Sequence, residues 1–262
     1  MPTGSERFLD TRSLDADHRR LAGLLAPGMS VLDVGCGSGA ITRGIADAVG
    51  AGGRVVGIDV SEELLEQALR THGGPPSLEF EVADVTRHGY RDEFDVVNAA
   101  RVLQWLADPR AALRGMVAAA KPGGWIIVLD YNHTRARWQP DAPEEFMRFY
   151  DAFLRWRAEV GMDNEIADHL AAMMGELGLT EVTSTEEAEV TERGDPDFDT
   201  RMALWPSVIA TRGHQLVADG RLSEDERAAA GRAFAEWIAR GARSQSLHLL
   251  AVSARRPVLA DL

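Results

Sequence analysis

The stretch Val31-Leu32-Asp33-Val34-Gly35-Cys36-Gly37-Ser38-Gly39 constrains the fold of this chain more than any other. A β-rich run breaks into glycines at alternate positions, after which Ile41, Ile45 and Val49 recur at helical spacing. This is a strand, a tight turn and a helix. The unit repeats downstream. Residues 54–58 read as a buried strand ending in Asp59, and Ser61 is placed to cap a helix with Glu62 and Glu63 in its first turn. Residues 78–82 form a third strand followed by Ala83-Asp84-Val85, and residues 94–98 a fourth. Asp108 and Pro109 supply an N-cap and a first-turn proline for the next helix, which Lys121-Pro122-Gly123-Gly124 ends before a fifth strand at 125–129. Strands that alternate with helices must pair in parallel, because crossover connections return each strand in the same direction. The expected class is therefore α/β, doubly wound, with a mostly parallel seven-stranded sheet.

Beyond about residue 135 the alternation is interrupted. Phe146, Phe149, Tyr150, Phe153 and Leu154 mark one amphipathic helix, and residues 166–177 a second that Gly178 can terminate. Residues 180–190 read as a strand whose acidic run, Glu186-Glu187-Ala188-Glu189, fits an edge blunted by charge better than a cation site. Residues 196–243 are helical again, with Ser223 and Glu226 as a capping box, and 246–254 close as a strand. No internal repeat or linker divides the chain, so a single domain over 1–262 is expected. Leu21, Leu24 and Leu25 mark an N-terminal helix within 1–25, and 136–178 and 196–243 are expected as insertions forming a helical cap. Most of the tryptophans and phenylalanines lie after residue 130. They serve to pack that cap, with an apolar pocket as the sharper alternative.

Composition narrows the function. A formal charge of −13 opposes a phosphate backbone, so no nucleic-acid partner is expected. No apolar run approaches the roughly 18 residues of a membrane span, and the polar start of the chain lacks a secretory core. A cytoplasmic protein with no membrane partner is expected. Cys36 is the single cysteine, which excludes an intramolecular disulfide and a multi-cysteine zinc site, and no spacing of His, Asp and Glu points to a metal.

In a doubly wound sheet, ligands sit beyond the carboxyl ends of the strands, where the first three strand ends gather. The glycine loop, Asp59 and Asp84 therefore face one crevice. Gly35, Gly37 and Ala40 satisfy a dinucleotide fingerprint, and Asp59 can accept from both hydroxyls of a ribose. Asp33, two residues before the first glycine, opposes a pyrophosphate and suits a ligand that carries positive charge. Asp84 can accept from the exocyclic amine of an adenine while the Val85 amide donates to a ring nitrogen.

The run from Val31 to Gly39, then Gly57-Ile58-Asp59, Ala83-Asp84-Val85, Phe94-Asp95-Val96-Val97-Asn98, Leu103-Gln104-Trp105-Leu106-Ala107-Asp108-Pro109 and Lys121-Pro122-Gly123-Gly124, resembles the ordered motifs of class I S-adenosylmethionine-dependent methyltransferases over roughly 29–131. Within that family the chain is most similar to the UbiE-like small-molecule enzymes. The resemblance implies S-adenosylmethionine as cofactor and a small-molecule methyl acceptor. It places Gly35 and Gly37 against the methionine part, Asp59 on the ribose, and Asp84 and Val85 on the adenine. It sets Asn98, Ala99 and Arg101 beside the amino acid and sulfonium, with Asp33, Cys36, Gly39 and Val60 completing the donor site. The N-terminal helix would be a lid. Tyr131 and His133, just past the fifth strand, are the candidates for a pocket residue and a base. Cys36 reads as a small residue, and His18 and His169 as ordinary helix residues. The motif for methylating base amines, Asn or Asp before Pro-Pro-Tyr or Phe, is replaced by Asn98-Ala99-Ala100-Arg101, which argues against a nucleic-acid base amine; oxygen or carbon acceptors are expected over nitrogen. Two alternatives remain: an NAD(P)-dependent oxidoreductase on the same sheet, and a module that binds S-adenosylmethionine without catalysis.

Overall fold

In the computed structural model, which describes residues 12–258, adjacent apolar residues in each central strand point to opposite faces. Val31 and Leu32 in β1 (Ser30–Val34), Val55 and Val56 in β2 (Arg54–Asp59), and Val96 and Val97 in β4 (Phe94–Ala100) are all buried. That continuous apolar character is what a sheet covered on both sides requires. One face, with Val31, Val55, Val96 and Ile127, packs on α1 (Leu14–Asp17), α2 (Arg19–Ala22) and α3 (Ala40–Val49). The other, with Leu32, Val56, Val97 and Ile126, packs on α5 (Pro109–Ala119) and α7 (Ile166–Glu176). Ser61 caps α4 (Glu62–His72) and Asp108 caps α5, each accepting a backbone amide of the first turn. Both were legible in the sequence.

The strand order is β3-β2-β1-β4-β5-β8-β6, with β3 at Leu78–Val82, β5 at Ala120–Gln139 and β8 at Ser244–Arg255. Pairings from β3 to β5 are parallel, and β8 runs antiparallel to β5 and to the edge. The sheet is doubly wound and mostly parallel, as expected, but holds eight strands among the described residues. The edge strand is broken at Glu187 and Ala188 into β6 (Thr180–Glu186) and β7 (Glu189–Glu192), both paired with β8. The break turns acids inward. The Glu187 carboxylate accepts the amides of Arg19 and Arg20, and Glu189 pairs with buried Arg101, whereas Glu186 stays exposed. The acidic run thus serves as more than a charged edge.

Three boundaries differ from expectation. β5 continues to Gln139, because Arg137 to Gln139 pair with Ser246 to Ser244 of β8, so the cap starts as a strand extension. α7 buries Ile166, Leu170 and Met174 against the sheet and belongs to the helical layer of the sheet, not to the cap. The N-terminal helix is two single turns separated at His18, whose backbone leaves the helical region; the segment 1–11 of the expected lid lies outside the described residues.

The cap itself is α6 (Glu144–Glu159), α8 (Phe198–Met202), α9 (Leu204–Ala218) and α10 (Glu224–Arg240), the last begun by the Ser223/Glu226 capping box. Its core is aromatic. Trp205 stands edge-on to Trp138, Phe146, Tyr150 and Phe153, and Phe146 stacks on Phe234 at 4.1 Å. Such pairs contribute about 0.5–1.5 kcal/mol each beyond area burial. Trp205→Ala is expected to cost about 3–5 kcal/mol in equilibrium denaturation. Trp205→Phe should cost much less, since the buried Trp205 Nε1 has no hydrogen-bond partner among the described residues. Equal losses for the two variants would remove the aromatic packing argument.

Candidate active site

The helices after β1 and β4 leave on opposite faces, which opens a crevice at the carboxyl ends of these neighbouring strands. A cleft of about 380 Å³ lies there, lined from β1 and its loop, β2, the segment after β3, and the segment after β4. Its volume falls in the range of small-molecule sites, about 300–1,000 Å³.

The glycine loop is shaped by close approach. Gly35 has φ +65°, and a Cβ there would lie 2.5 Å from Val102 Cγ2, so backbone alone fits beneath that side chain. Gly37 also has positive φ, and its N–H donates to Asp59 Oδ2 at 3.0 Å. Asp59 Oδ1 accepts from the Ser61 amide at 2.9 Å. Asp59 therefore takes the very loop amide that a pyrophosphate would need. Asp84 is exposed on the cleft and accepts from the amide and hydroxyl of Thr86, which hold its carboxyl below the usual range. Val60 is 72% exposed beside Asp59, an apolar surface on the cleft rim.

Beneath the loop runs a buried polar chain. His18 Nε2 donates to Asn98 Oδ1 at 2.8 Å, Asn98 Nδ2 donates to Asp33 Oδ1 at 2.7 Å, and Thr42 donates to Asp33 Oδ2 at 2.6 Å. Burial pushes Asp33 up to about 6 against these hydrogen bonds, with Asp59 adding repulsion. Burial likewise holds His18 down to about 3, so its ring is neutral. The helix position read as ordinary is thus the outer member of the site's support. Burial and the carboxylates of Asp33 and Asp59 keep the Cys36 thiol protonated.

Of the residues singled out from sequence, Asp33, Gly35, Cys36, Gly37, Asp59, Val60, Asp84, Val85 and Arg101 line the cleft. Gly39 instead starts α3 at φ +82°, and Asn98 and Ala99 are wholly buried behind the wall. Tyr131 and His133 are also buried and do not line it. The His133 ring bonds to Gln104 Oε1 at 2.7 Å, and burial with nearby Arg157 holds it well below its ordinary value. The Tyr131 hydroxyl donates to Glu189 and accepts from Arg101 Nε at 3.2 Å; burial raises it to about 12. Both side chains brace the segment after β4. There Arg101, at φ +61°, pairs with Glu189 and donates to the Asp17 carbonyl. His169 is exposed and bonded to Asp163.

The cleft also includes Arg12, Val102, Trp105, Leu106 and Arg212. Trp105 and Leu106 stand within the motif that ends in Asp108-Pro109 and Val102 just before it, but Arg12 and Arg212 arrive by tertiary packing and carry no local signal.

Asp33 makes stability depend on pH. Between its unfolded value of 3.8 and about 6, the folded chain holds a proton the unfolded chain has released. Its contribution is therefore complete below the lower value and is lost as pH rises through the upper one. Asp33→Asn can still accept from Asn98 and donate to Thr42. Urea unfolding should find the variant up to about 3 kcal/mol more stable near pH 8, the gain fading toward pH 4; a gain independent of pH would contradict this.

Residues 25–179 match the family described as "Methyltransferase domain". The chain is 32% identical over 198 residues to phosphoethanolamine N-methyltransferase 1 of Arabidopsis thaliana, covering 71% of this chain and 40% of that one. It is 36% identical over 118 residues to ubiquinone biosynthesis O-methyltransferase of Bordetella avium, covering 44% and 47%. The chain thus spans less than half the length of these curated relatives. A solved structure of phosphoethanolamine N-methyltransferase 2 of Haemonchus contortus, in complex with phosphomonomethylethanolamine and S-adenosylhomocysteine, shares the fold at TM-score 0.56 and 18% identity, over 91% of this chain and 51% of that one.

Proposed function

The chain belongs to the class I S-adenosylmethionine-dependent methyltransferases, and from that premise we propose that it transfers the methyl group of S-adenosylmethionine to an oxygen or carbon of a small organic molecule in the cytosol. The observation that carries this reading is the state of the glycine loop. The Gly37 amide is taken by Asp59, and three carboxylates, Asp33, Asp59 and Asp84, line the half of the cleft over β1, β2 and the segment after β3. That half repels a diphosphate. It suits a nucleoside that carries an ammonium and a sulfonium beside a single carboxylate, net cationic and without phosphate.

The residues present fit such a donor. Asp59 keeps lone pairs for the ribose hydroxyls while fixing the loop, and exposed Asp84 and the Val85 amide stand where a purine edge would be read. Val60 offers an apolar face for a ring. Asp33 lies at the loop with its carboxyl near 6, so a cation in the cleft would draw it into the ionised form. Bound there, the donor supplies a methyl group already activated by its sulfonium. What the chain contributes is chiefly near-attack placement and exclusion of water. His133 and Tyr131 act as positioning residues. His133 holds Gln104, whose amide nitrogen donates to the Arg101 carbonyl, and Tyr131 holds the Arg101 guanidinium. Asn98-Ala99-Ala100-Arg101 stands where the motif for methylating nucleic-acid base amines would be, which argues against such an amine as acceptor.

Calorimetry is expected to show binding of S-adenosylhomocysteine and none of NAD. Asp59→Ala should weaken it by roughly 10- to 100-fold, the loss of one charge-assisted hydrogen bond worth about 1.5–3 kcal/mol. Unchanged affinity in the variant would take Asp59 out of the donor site, and tight NAD binding would return the oxidoreductase reading.

A further inference from the structure

The cleft is electrically divided. Its three carboxylates stand over β1, β2 and the segment after β3, while three arginines, Arg12, Arg101 and Arg212, come from the N-terminal segment, the segment after β4 and cap helix α9; Arg101 is paired with Glu189, and Glu189 and Asp17 also act on Arg12, so Arg212 carries the uncompensated charge. None of the cleft carboxylates neutralises Arg212. Asp33 is bonded to Thr42 and Asn98, Asp59 to backbone amides, and Asp84 to Thr86. Among the described residues the Arg212 side chain makes no ion pair and no hydrogen bond; its guanidinium lies over the Trp105 ring at 5.2 Å. Arg157 also lies over that ring, 4.9 Å from its centroid, so the indole meets two cations. Burial lowers the Arg212 value without any carboxylate to oppose it. Arg101 lines the same wall and leaves Nη1 buried and unbonded among the described residues.

The Arg212 side chain is half-buried at the cleft and keeps its charge without a carboxylate partner among the described residues, so it is open to an incoming anion. The chemistry of a guanidinium is specific: a planar fork of N–H donors suits a carboxylate or phosphate. The wall around it, Ala100, Val102, Trp105 and Leu106, is apolar. We propose that Arg212, stacked on Trp105 and backed by Arg101, binds the oxyanion of the methyl acceptor, which is thus a small apolar or aromatic molecule bearing a carboxylate or phosphate. This rests on the donor reading above and extends it: the acidic half of the cleft takes the cationic donor, and the basic half takes an anionic acceptor. Opposite charges then align the two reactants along one axis, with the methyl group at the boundary. The net negative charge of the chain, −13, makes a basic wall inside it a local feature and not a consequence of composition.

The test uses protein saturated with S-adenosylhomocysteine and titrated with benzoate, phenyl phosphate and neutral benzamide, followed by ligand-observed NMR. Benzoate and phenyl phosphate are expected to bind, benzamide at least about tenfold more weakly, and Arg212→Gln to weaken both anions by about tenfold or more. Arg212→Lys should restore part of the loss through charge alone. The tighter of the two anions names the oxyanion, and either order supports the proposal. The affinity of each variant for S-adenosylhomocysteine is measured separately and should match the native protein, which also reports an intact fold. No binding of either anion, equal binding of benzamide, or anion affinity unchanged by Arg212→Gln overturns the proposal. Loss of S-adenosylhomocysteine affinity in Arg212→Gln assigns the arginine to the donor and overturns it too. Failure of the native protein itself to bind S-adenosylhomocysteine sinks the donor reading and this inference with it.

Discussion

The hydrogen bond from Asn98 to Asp33, across the β1–β4 pairing, is the constraint on which the site depends. These residues are register partners in the two strands whose helices leave on opposite faces, so the bond sits at the floor of the crevice that this divergence opens. A buried carboxylate there is unfavourable in isolation. Thr42 from α3, Asn98 from β4 and, through Asn98, His18 from the N-terminal segment surround it with donors. One carboxylate thus ties the glycine-loop helix, the second half of the sheet and the covering segment to the same point.

A second buried charge organises the other wall. Arg101 holds a left-handed backbone conformation, which for a residue with a side chain costs about 1–3 kcal/mol and persists only where surroundings enforce it. Those surroundings are Glu189 at the broken sheet edge, Tyr131 on β5 and the Asp17 carbonyl. Buried ion pairs add little net stability, because desolvation offsets attraction. What the pair secures is position: it fixes the segment that carries Val102 against Gly35 and Trp105 against the cap. At the break between β6 and β7, Glu187 reaches the amides of Arg19 and Arg20 while Glu189 meets Arg101.

The aromatic cap and the sheet meet along the extension of β5 beyond Tyr131. Trp138 on that extension packs into the same cluster as Phe146, Tyr150 and Trp205. Arg212 belongs to the helix that Trp205 anchors. Packing in the cap therefore sets where a cation enters the cleft, which links the stability of one hydrophobic cluster to the chemistry of the other.

The alternation of strands and helices, the glycine loop, the helix caps at Ser61, Asp108 and Ser223, and the carboxylates Asp59 and Asp84 were all legible in the sequence. Each is a local rule, in which a residue's neighbours along the chain supply its partners or its spacing. The reach of β5, the break in the edge strand and the attachment of α7 to the sheet were not legible, because strand pairing and helix packing are settled by distant partners. The same distinction divides the candidate site. Tyr131 and His133 are expected from the sequence just past the fifth strand, where chain position suggests a pocket, yet both lie within the longer β5 and are buried behind the cleft wall. Arg212 lies far along the chain in a helix with no motif, and reaches the cleft only because α9 packs over it. By itself the sequence determined the sheet, the loop and the acidic half of the cleft; the tertiary structure alone decided the basic half, since only close packing brings charges together from segments 12, 101 and 212.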